Sequence, residues 1–212
     1  MNRTIKVQHV YKKIEEQKIL QDINLEFHSG KIYGLVGRNG SGKTVLLKCI
    51  AGFMKVTDGE IWLDNKKMGK DIKFIENMGF IINAPGFLPE LSGIKNLEYL
   101  ASIRKIIKRK EIVEAMEAVG LNPRSKKAVG KYSTGMKQRL GIAQAIMENP
   151  EILILDEPMN GLDEDAVEEM RNLFLKLKED RLILITSHIR EDIDVLCDQV
   201  YEMNAGTIKK VQ

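Results

Sequence analysis

The sequence predicts an α/β fold with a mostly parallel central sheet, an N-terminal antiparallel β subdomain and an inserted all-helical subdomain. Three observations predict it. Short apolar runs that suit buried parallel strands alternate with helix-like runs through most of the chain. Residues 4–27 instead alternate polar and apolar positions, as antiparallel strands do. Residues 92–131 carry only helical periodicity.

The length and composition suit one large domain. With 212 residues, 43% of them hydrophobic, we predict a single domain over 1–212, in which 1–91 and 132–212 form the core and 92–131 the inserted helical part. A net charge of +3 is too mild to indicate a nucleic-acid partner, and none is expected. The basic run at 104–110 is typical of a solvated helix end.

The sequence predicts neither a membrane-spanning segment nor a signal peptide. No run approaches the roughly 18 apolar residues of a membrane span, and no signal peptide opens the sequence. Cys49 and Cys197 lie far apart on apolar, helix-like stretches, without the spacing of a metal or redox site. We therefore expect buried thiols in a reducing cytosol.

The N-terminal residues predict a pair of antiparallel strands. Thr4–Val10 and Ile19–Phe27 alternate polar and apolar positions, and the polar segment Lys12–Lys18 separates them. Tyr11 ends the first predicted strand, where its ring could stack on a nucleotide base. Periodicity alone favours the plainer interpretation, an ordinary tyrosine at a strand end.

The segment Gly37–Thr44 separates a strand-like run, Ile32–Val36, from a helix-like run, Val45–Ala51. Glycines in this context let the backbone curl so that successive N–H groups point at phosphate oxygens, and the positive N-terminal end of the helix adds to the same spot. Lys43 is placed to reach the β- and γ-phosphates, and the Thr44 hydroxyl can ligate Mg²⁺. The sequence therefore predicts a phosphate-loop NTPase core that binds a nucleoside triphosphate.

The residues after the first helix lead to a second polar strand end. Glu60–Leu63 predicts a short strand, Lys73–Asn77 a short helix, and Met78–Ile82 another strand that stops at Asn83. The backbone is expected to leave the sheet at Ala84–Gly86. The Asn83 amide could meet a metal or a water, or serve as a plain turn residue, and both interpretations stay open.

The helical part ends just before a second glycine-containing segment. Ser133 stands at a natural N-cap position, with Gly135 two residues further on. The arrangement is typical of simple helix capping. It also brings a hydroxyl, a glycine and a helix N-terminus together, which makes an anion site. On physical grounds the two interpretations are comparable.

Two more predicted strands end in groups suited to catalysis. Ile152–Leu155 runs into Asp156 and Glu157, at the strand end where ligands bind in open α/β sheets. Neighbouring strand residues point to opposite sides, so we expect one carboxylate on the metal side and the other on the attacking water. The strand Arg181–Thr186 similarly ends near His188, which we expect to be functional.

These segments, in this order, resemble the nucleotide-binding subunit of ATP-binding cassette (ABC) transporters. Gly37–Thr44 is similar to the Walker A loop, Tyr132–Met136 to the signature motif and Ile152–Glu157 to the Walker B strand. Asn160–Asp163 resembles the D-loop, and His188 the switch histidine. The signature distinguishes this family from other phosphate-loop proteins.

The resemblance assigns roles to single residues. Tyr11 becomes the adenine-stacking residue, and Asn83 takes the place of the Q-loop glutamine with one methylene less. Thr134 and Met136 depart from the commoner signature residues. The implied nucleotide-binding residues are Tyr11, Gly37, Arg38, Asn39, Gly40, Ser41, Gly42, Lys43, Thr44, Val45, Ser133 and Gly135; the metal-side residues are Thr44, Asn83 and Asp156; the catalytic residues are Lys43, Glu157 and His188.

The resemblance also implies partners and cofactors. ATP and Mg²⁺ would lie between the loop of one subunit and the signature of a second nucleotide-binding subunit, identical or related. Closure of this dimer would drive a separately encoded transmembrane permease, with the chain on the cytoplasmic face of the membrane. Residues 78–92 and 132–146 look most like the exporters of drugs, lantibiotics and other peptides.

Two other function classes were weighed. A soluble ABC-type ATPase acting on nucleic acid or ribosomes predicts coiled-coil insertions or a second cassette, and the sequence has neither. A GTPase would carry Asn-Lys-x-Asp, whereas Asn65-Lys66 is followed by Lys67-Met68. A small-molecule kinase gives no reason for the signature motif.

Overall fold

A computed structural model of the chain describes residues 3–83 and 86–212, so the turn predicted at Ala84–Pro85 lies outside the described residues. The strands are β1 Thr4–Ile14, β2 Gln17–His28, β3 Lys31–Val36, β4 Asp58–Leu63, β5 Lys66–Lys67, β6 Met78–Ile81, β7 Ile152–Asp156, β8 Leu182–Ser187, β9 Gln199–Asn204 and β10 Thr207–Lys210. The α-helices are α1 Lys43–Ala51, α2 Gly93–Arg104, α3 Arg109–Ala118, α4 Thr134–Ile146, α5 Glu164–Leu177 and α6 Arg190–Leu196, and 3-10 turns span Val129–Lys131 and Lys178–Asp180.

The central sheet has six strands in the order β10-β9-β3-β8-β7-β6. All neighbours are parallel except β10, which pairs antiparallel with β9 in a terminal hairpin. The residues of β8 are all buried, as expected for a strand covered on both faces. Because β3, β7 and β8 run in the same direction, their carboxyl ends meet at one edge of the sheet.

The N-terminal sheet is antiparallel, in the order β2-β1-β4-β5. The predicted pair of strands is confirmed, but the polar segment Lys12–Lys18 is not a separate connection. It continues both strands to a tight turn, with Lys12 opposite Leu20 and Ile14 opposite Gln17. Polar side chains are tolerated there because this end of the hairpin is exposed. Tyr11 therefore lies inside β1 rather than at its end.

Two apolar clusters cover the two faces of the central sheet. One joins α2, α3 and α4 to that sheet through residues such as Leu97, Met116 and Leu153. The other joins α1 and the N-terminal sheet to the opposite face through residues such as Leu46 and Phe27. Residues 92–131 contain α2, α3 and a 3-10 turn, and the domain limits at 91/92 and 131/132 stay a prediction.

One local prediction is wrong. Lys73–Asn77 is irregular rather than helical: it packs against the end of α1 so closely that a Cβ on Gly52 would lie 2.4 Å from the Lys73 carbonyl oxygen. The last helix, α6, ends at Leu196, and β9 begins at Gln199. Asp198 ends the helix because its carboxylate accepts the Ile32 N–H at 2.7 Å and fixes the entry to β9.

Candidate functional site

The phosphate loop joins the end of β3 to the start of α1. Gly42 caps α1 in the left-handed region, at a φ of 107°. At Gly37 the φ is 151°, and an added Cβ would lie 2.4 Å from the carbonyl oxygen of Met203. Glycine is thus required at both ends of the loop, by the backbone conformation and by the close approach of the terminal hairpin.

Lys43 lies almost fully buried beneath the loop, with 6% of its surface exposed. Its ammonium group donates to the Gly37 carbonyl oxygen at 2.7 Å and lies 3.8 Å from Glu157 Oε1. A lysine is buried only when its charge is compensated, and a carbonyl with one carboxylate compensates it here. The side chain is therefore held at the mouth of the loop.

Ser41 supplies an unsatisfied polar atom in the same loop. Its hydroxyl oxygen is buried and has no hydrogen-bond partner among the described residues. Buried polar atoms are rarely left without a partner, because an unmade hydrogen bond costs free energy. An orphaned hydroxyl inside a glycine loop is what a loop that binds an anion is expected to show.

Asp156, the last residue of β7, receives two hydroxyl hydrogen bonds. The Thr44 hydroxyl donates to Oδ2 at 2.7 Å, and the Thr186 hydroxyl donates to Oδ1 at 2.6 Å. Asp156 and Thr186 are direct neighbours in the parallel pairing of β7 with β8. The carboxylate is thereby held against the first turn of α1.

Glu157 follows directly but is held by other partners. Its Oε2 lies 2.8 Å from His188 Nδ1 and accepts the His188 backbone N–H at 3.2 Å. An ionised carboxylate only accepts hydrogen bonds, so Nδ1 carries the hydrogen and Nε2 stays available. Lys43 lies on the other carboxylate oxygen.

Asp156 and Glu157 have different partners, but strand alternation is not the reason. Strand alternation was expected to separate them, but β7 ends at Asp156. Glu157 instead adopts the left-handed region at a φ of 51°, which is unfavourable for a residue with a Cβ. The two carboxylates do contact different groups, as the sequence predicted.

Sequence reasoning missed two residues at this edge. The Thr186 hydroxyl also accepts the Glu157 N–H at 2.9 Å, and its one visible signal was a polar residue within the apolar β8. Gln138 of α4 donates its amide to the carbonyl oxygens of Glu157 and Pro158, at 3.2 and 2.9 Å. Nothing in the sequence marked Gln138, because the contact depends on how α4 packs.

The signature-like segment lies at the start of α4. Ser133 caps the helix, and its hydroxyl accepts the Met136 N–H at 3.2 Å. Ser133 and Thr134 are exposed. A Cβ on Gly135 would lie 2.9 Å from the Gly161 carbonyl oxygen, so the segment packs tightly on the turn before α5. Among the described residues, no hydrogen bond joins 132–136 to the phosphate loop.

The remaining predicted residues are exposed or half-buried. Tyr11 is 39% exposed on β1. Asn83 is exposed just beyond β6, at a φ of 65°. Arg38 and Asn39 are exposed at the tip of the loop, and Val45 is half-buried on α1.

The two cysteines take no part in the site. Burial raises the pKa of Cys49, on α1, to about 11, and burial likewise raises the pKa of Cys197 to about 12. Both thiols therefore stay protonated and unreactive near neutral pH.

Comparison with known proteins gives consistent matches. The model of the ABC transporter family matches residues 20–160. The uncharacterized ABC transporter ATP-binding protein YybJ of Bacillus subtilis (strain 168) is 43% identical over 206 residues, covering 97% of this chain and 94% of that protein. The bacitracin transport ATP-binding protein BcrA of Bacillus licheniformis is 41% identical over 211 residues, covering 98% of this chain and 69% of that protein.

The fold has a close match among solved structures. A bacterial ABC transporter cassette, solved as a dimer, superposes with a TM-score of 0.87 at 25% sequence identity. The match covers 98% of this chain and 99% of that one. Within residues 3–83 and 86–212, no helix is both long enough and apolar enough to cross a membrane.

Proposed function

The chain belongs to the ABC transporter family as an ATP-binding and ATP-hydrolysing subunit, and we propose that two such subunits close on Mg·ATP to drive export through a separate membrane permease. The proposal rests on one observation above all. Lys43, Thr44, Asp156, Glu157 and His188 converge at one edge of the sheet, each already aligned by a contact to another of the five.

The phosphates of ATP would lie along the loop. The N–H groups around Gly40–Gly42 and the start of α1 would bind phosphate oxygens, and the orphaned Ser41 hydroxyl would gain a partner. Lys43 would exchange its bond to the Gly37 carbonyl for the β- and γ-phosphates. Tyr11, exposed on β1, would stack on the adenine.

The residues present fit Mg²⁺. The Thr44 hydroxyl and the Asp156 carboxylate already meet at 2.7 Å, and hard oxygen ligands of this kind suit the ion. In the described part of the chain, no group of three or more His, Cys, Asp or Glu side chains could hold a metal. That agrees with an ion that relies on substrate phosphates, where it would neutralise developing charge. Asn83 would contribute directly or through a water.

Glu157 and His188 would serve the hydrolytic step. Glu157 would accept a hydrogen bond from the attacking water and orient it toward the γ-phosphorus. His188 fixes that carboxylate through Nδ1. As an imidazolium, with a hydrogen on each ring nitrogen, it would also donate from Nε2 to the γ-phosphate. Positioning and charge neutralisation supply most of the catalysis in phosphoryl transfer, so the prealigned pair is the group that sets the rate.

The site would be completed by a second subunit. Ser133 and Thr134 are exposed at a helix N-terminus, and no hydrogen bond among the described residues joins 132–136 to the chain's own loop. Ser133 and Gly135 of the neighbouring copy, or of a related cassette, would contact the γ-phosphate from the open side. ATP would then hold two chains together, and hydrolysis would release them.

A surface beside Asn83 suits the permease. Phe53 and Phe80 are exposed, and their rings meet edge-on at 4.8 Å in a groove of about 340 Å³ that Leu100 and Ile103 also line. Exposed aromatic clusters of this kind are typical of protein docking sites. The groove lies between the core and the proposed helical subdomain 92–131. A permease segment bound there would therefore be moved when the two subunits close on ATP.

The names of two relatives support a proposal for the cargo. One similar protein is named for bacitracin transport and another for lantibiotic transport. We propose that the cargo lies among drugs, lantibiotics and other peptides, and that the chain lies on the cytoplasmic face of the membrane, bound to its permease.

The test is the size of the Glu157→Gln chain in solution, measured by light scattering with and without Mg·ATP. The variant should bind ATP but hydrolyse it slowly, so that a dimer appears only with Mg·ATP. Parent chain with Mg·ADP is the control and should stay monomeric. A Glu157→Gln chain that is monomeric under every condition contradicts the proposed sandwich. Co-purification of an integral membrane protein then tests the permease.

A further inference from the structure

Thr186 lies where the two candidate carboxylates meet. It is fully buried in β8, two residues before His188, and its hydroxyl contacts both Asp156, the last residue of β7, and Glu157, the residue after it. The hydroxyl hydrogen goes to Asp156 Oδ1 at 2.6 Å, and the oxygen accepts the Glu157 N–H at 2.9 Å. Because an ionised Asp156 only accepts hydrogen bonds, this direction is fixed.

The hydrogen bond from the Glu157 N–H to the Thr186 hydroxyl lies just beyond the last backbone pair of β7 and β8. The pairing of β7 with β8 ends at Asp156 and Thr186, so the next N–H has no backbone partner in the ladder. A buried N–H without a partner is unfavourable, and Glu157 is also in the left-handed region. The Thr186 hydroxyl satisfies that N–H and thereby stabilises the turn that points the Glu157 side chain at His188.

The carbonyl group of Glu157 is held by other partners. The Glu157 carbonyl oxygen accepts from the Gln138 amide at 3.2 Å and from the Asn160 N–H at 3.2 Å. Its N–H, in contrast, has Thr186 as its hydrogen-bond partner in the described structure. Loss of the Thr186 hydroxyl therefore frees one end of Glu157 and one oxygen of Asp156 together.

We propose that Thr186 is a positioning residue that aligns both carboxylates through one hydroxyl group. The inference rests on the proposed function, in which Asp156 serves the metal side and Glu157 the attacking water. Thr186 touches neither substrate nor metal itself. Its removal should thus affect turnover and metal dependence at once, whereas the loop that binds the phosphates is left intact.

The test compares Thr186→Val, which keeps the shape and loses the hydroxyl, with Thr186→Ser, which keeps the hydroxyl. Thr207→Val is the matched control, because it makes the same chemical change in the exposed terminal hairpin. We expect kcat of Thr186→Val to fall by about 10- to 100-fold, the usual effect of losing a group that orients a metal ligand. The KM for ATP should stay near that of the parent.

A binding measurement gives a second readout. The Mn²⁺ concentration needed for half-maximal binding of a fluorescent ATP analogue should rise in Thr186→Val and not in Thr207→Val. Thr186→Ser should recover most of the parent's kcat and metal dependence. Should Thr186→Val fail to fold, as judged by circular dichroism, Thr186→Ala removes the same hydroxyl with less crowding.

The possible results separate the two proposals. Equal kcat and Mn²⁺ dependence in Thr186→Val and Thr207→Val overturn the role of Thr186 and leave the proposed function standing. Equally low kcat in Thr186→Val and Thr186→Ser also overturns it, because the hydroxyl would then not be the cause. A parent chain that neither binds nor hydrolyses Mg·ATP overturns the proposed function, and this inference with it.

Discussion

The sheet edge and the signature-like segment at the start of α4 are built in opposite ways. At the sheet edge, Lys43 is buried, and Asp156 and Glu157 each have at least two polar partners on other elements. At the start of α4, Ser133 is exposed, and its hydroxyl holds one local capping bond. The side chains at the sheet edge have their partners within the chain, whereas those at the start of α4 face the solvent.

This difference shows which part of the proposed site is ordered by folding alone and which part needs a second chain. Buried charges at the sheet edge must be paired as the chain folds, so in the proposed function these side chains would be aligned before ATP binds. The exposed segment needs no partner for folding, since water satisfies it. In the same proposal it would contribute only when a second subunit approaches, and turnover would then depend on association.

The largest effect is expected at the sheet edge. Glu157→Gln keeps the size of the side chain and removes its ability to act as a base, so kcat should fall by about 10²- to 10⁴-fold while Mg·ATP binding is retained. Steady-state ATPase assays and equilibrium nucleotide binding measure the two. Glu179→Gln, an exposed glutamate after α5, is the matched control and should match the parent. Unchanged turnover in Glu157→Gln would mean that another residue is the catalytic base.

The second effect tests whether the two regions act across different chains. Ser133→Arg should abolish turnover because it blocks the surface offered to the partner's phosphate. Mixed with inactive Glu157→Gln chains, it should regain activity, since each mixed pair holds one site with an intact loop, an intact Glu157 and an intact Ser133. Random pairing gives about a quarter of the parent's rate, because half of the pairs are mixed and each has one working site of two.

The mixing experiment also has a clear negative result. A site contained within one chain would be dead in both variants, and mixing would restore nothing. The assay therefore needs equal amounts of the two chains, with each alone at the same total concentration as the control. Activity of the mixture above that of either chain alone separates restored sites from contamination by parent enzyme.

The same contrast explains what the sequence could predict. The loop from Gly37 to Thr44 was predictable because its chemistry lies in consecutive residues. Asp156 and Glu157 were predictable because they end an apolar strand. Thr186 was not, because its role depends on the lateral register that places it beside Asp156, and register is set by the packing of the whole sheet.

Two errors have the same origin. The polar Lys12–Lys18 segment looked like a connection, yet an exposed hairpin end can be paired without a buried apolar side chain. Lys73–Asn77 looked helical, but so short a segment cannot nucleate a helix by itself, and packing against Gly52 decides its conformation. Local pattern fails wherever a tertiary contact outweighs it.

The smallest effect separates the two interpretations of Ser133. Ser133→Ala removes the cap of α4 and should lower the free energy of unfolding by about 1 kcal/mol in urea denaturation, whereas Ser133→Asp caps as well as serine and should not. Neither the alanine methyl group nor an ionised carboxylate can donate a hydrogen bond to a partner's phosphate, so both variants should lose ATPase activity at concentrations where the parent is dimeric. The two measurements together are decisive: full turnover in the stable Ser133→Asp chain would reduce Ser133 to a helix cap and leave the open side of the phosphate site without a protein donor at that position.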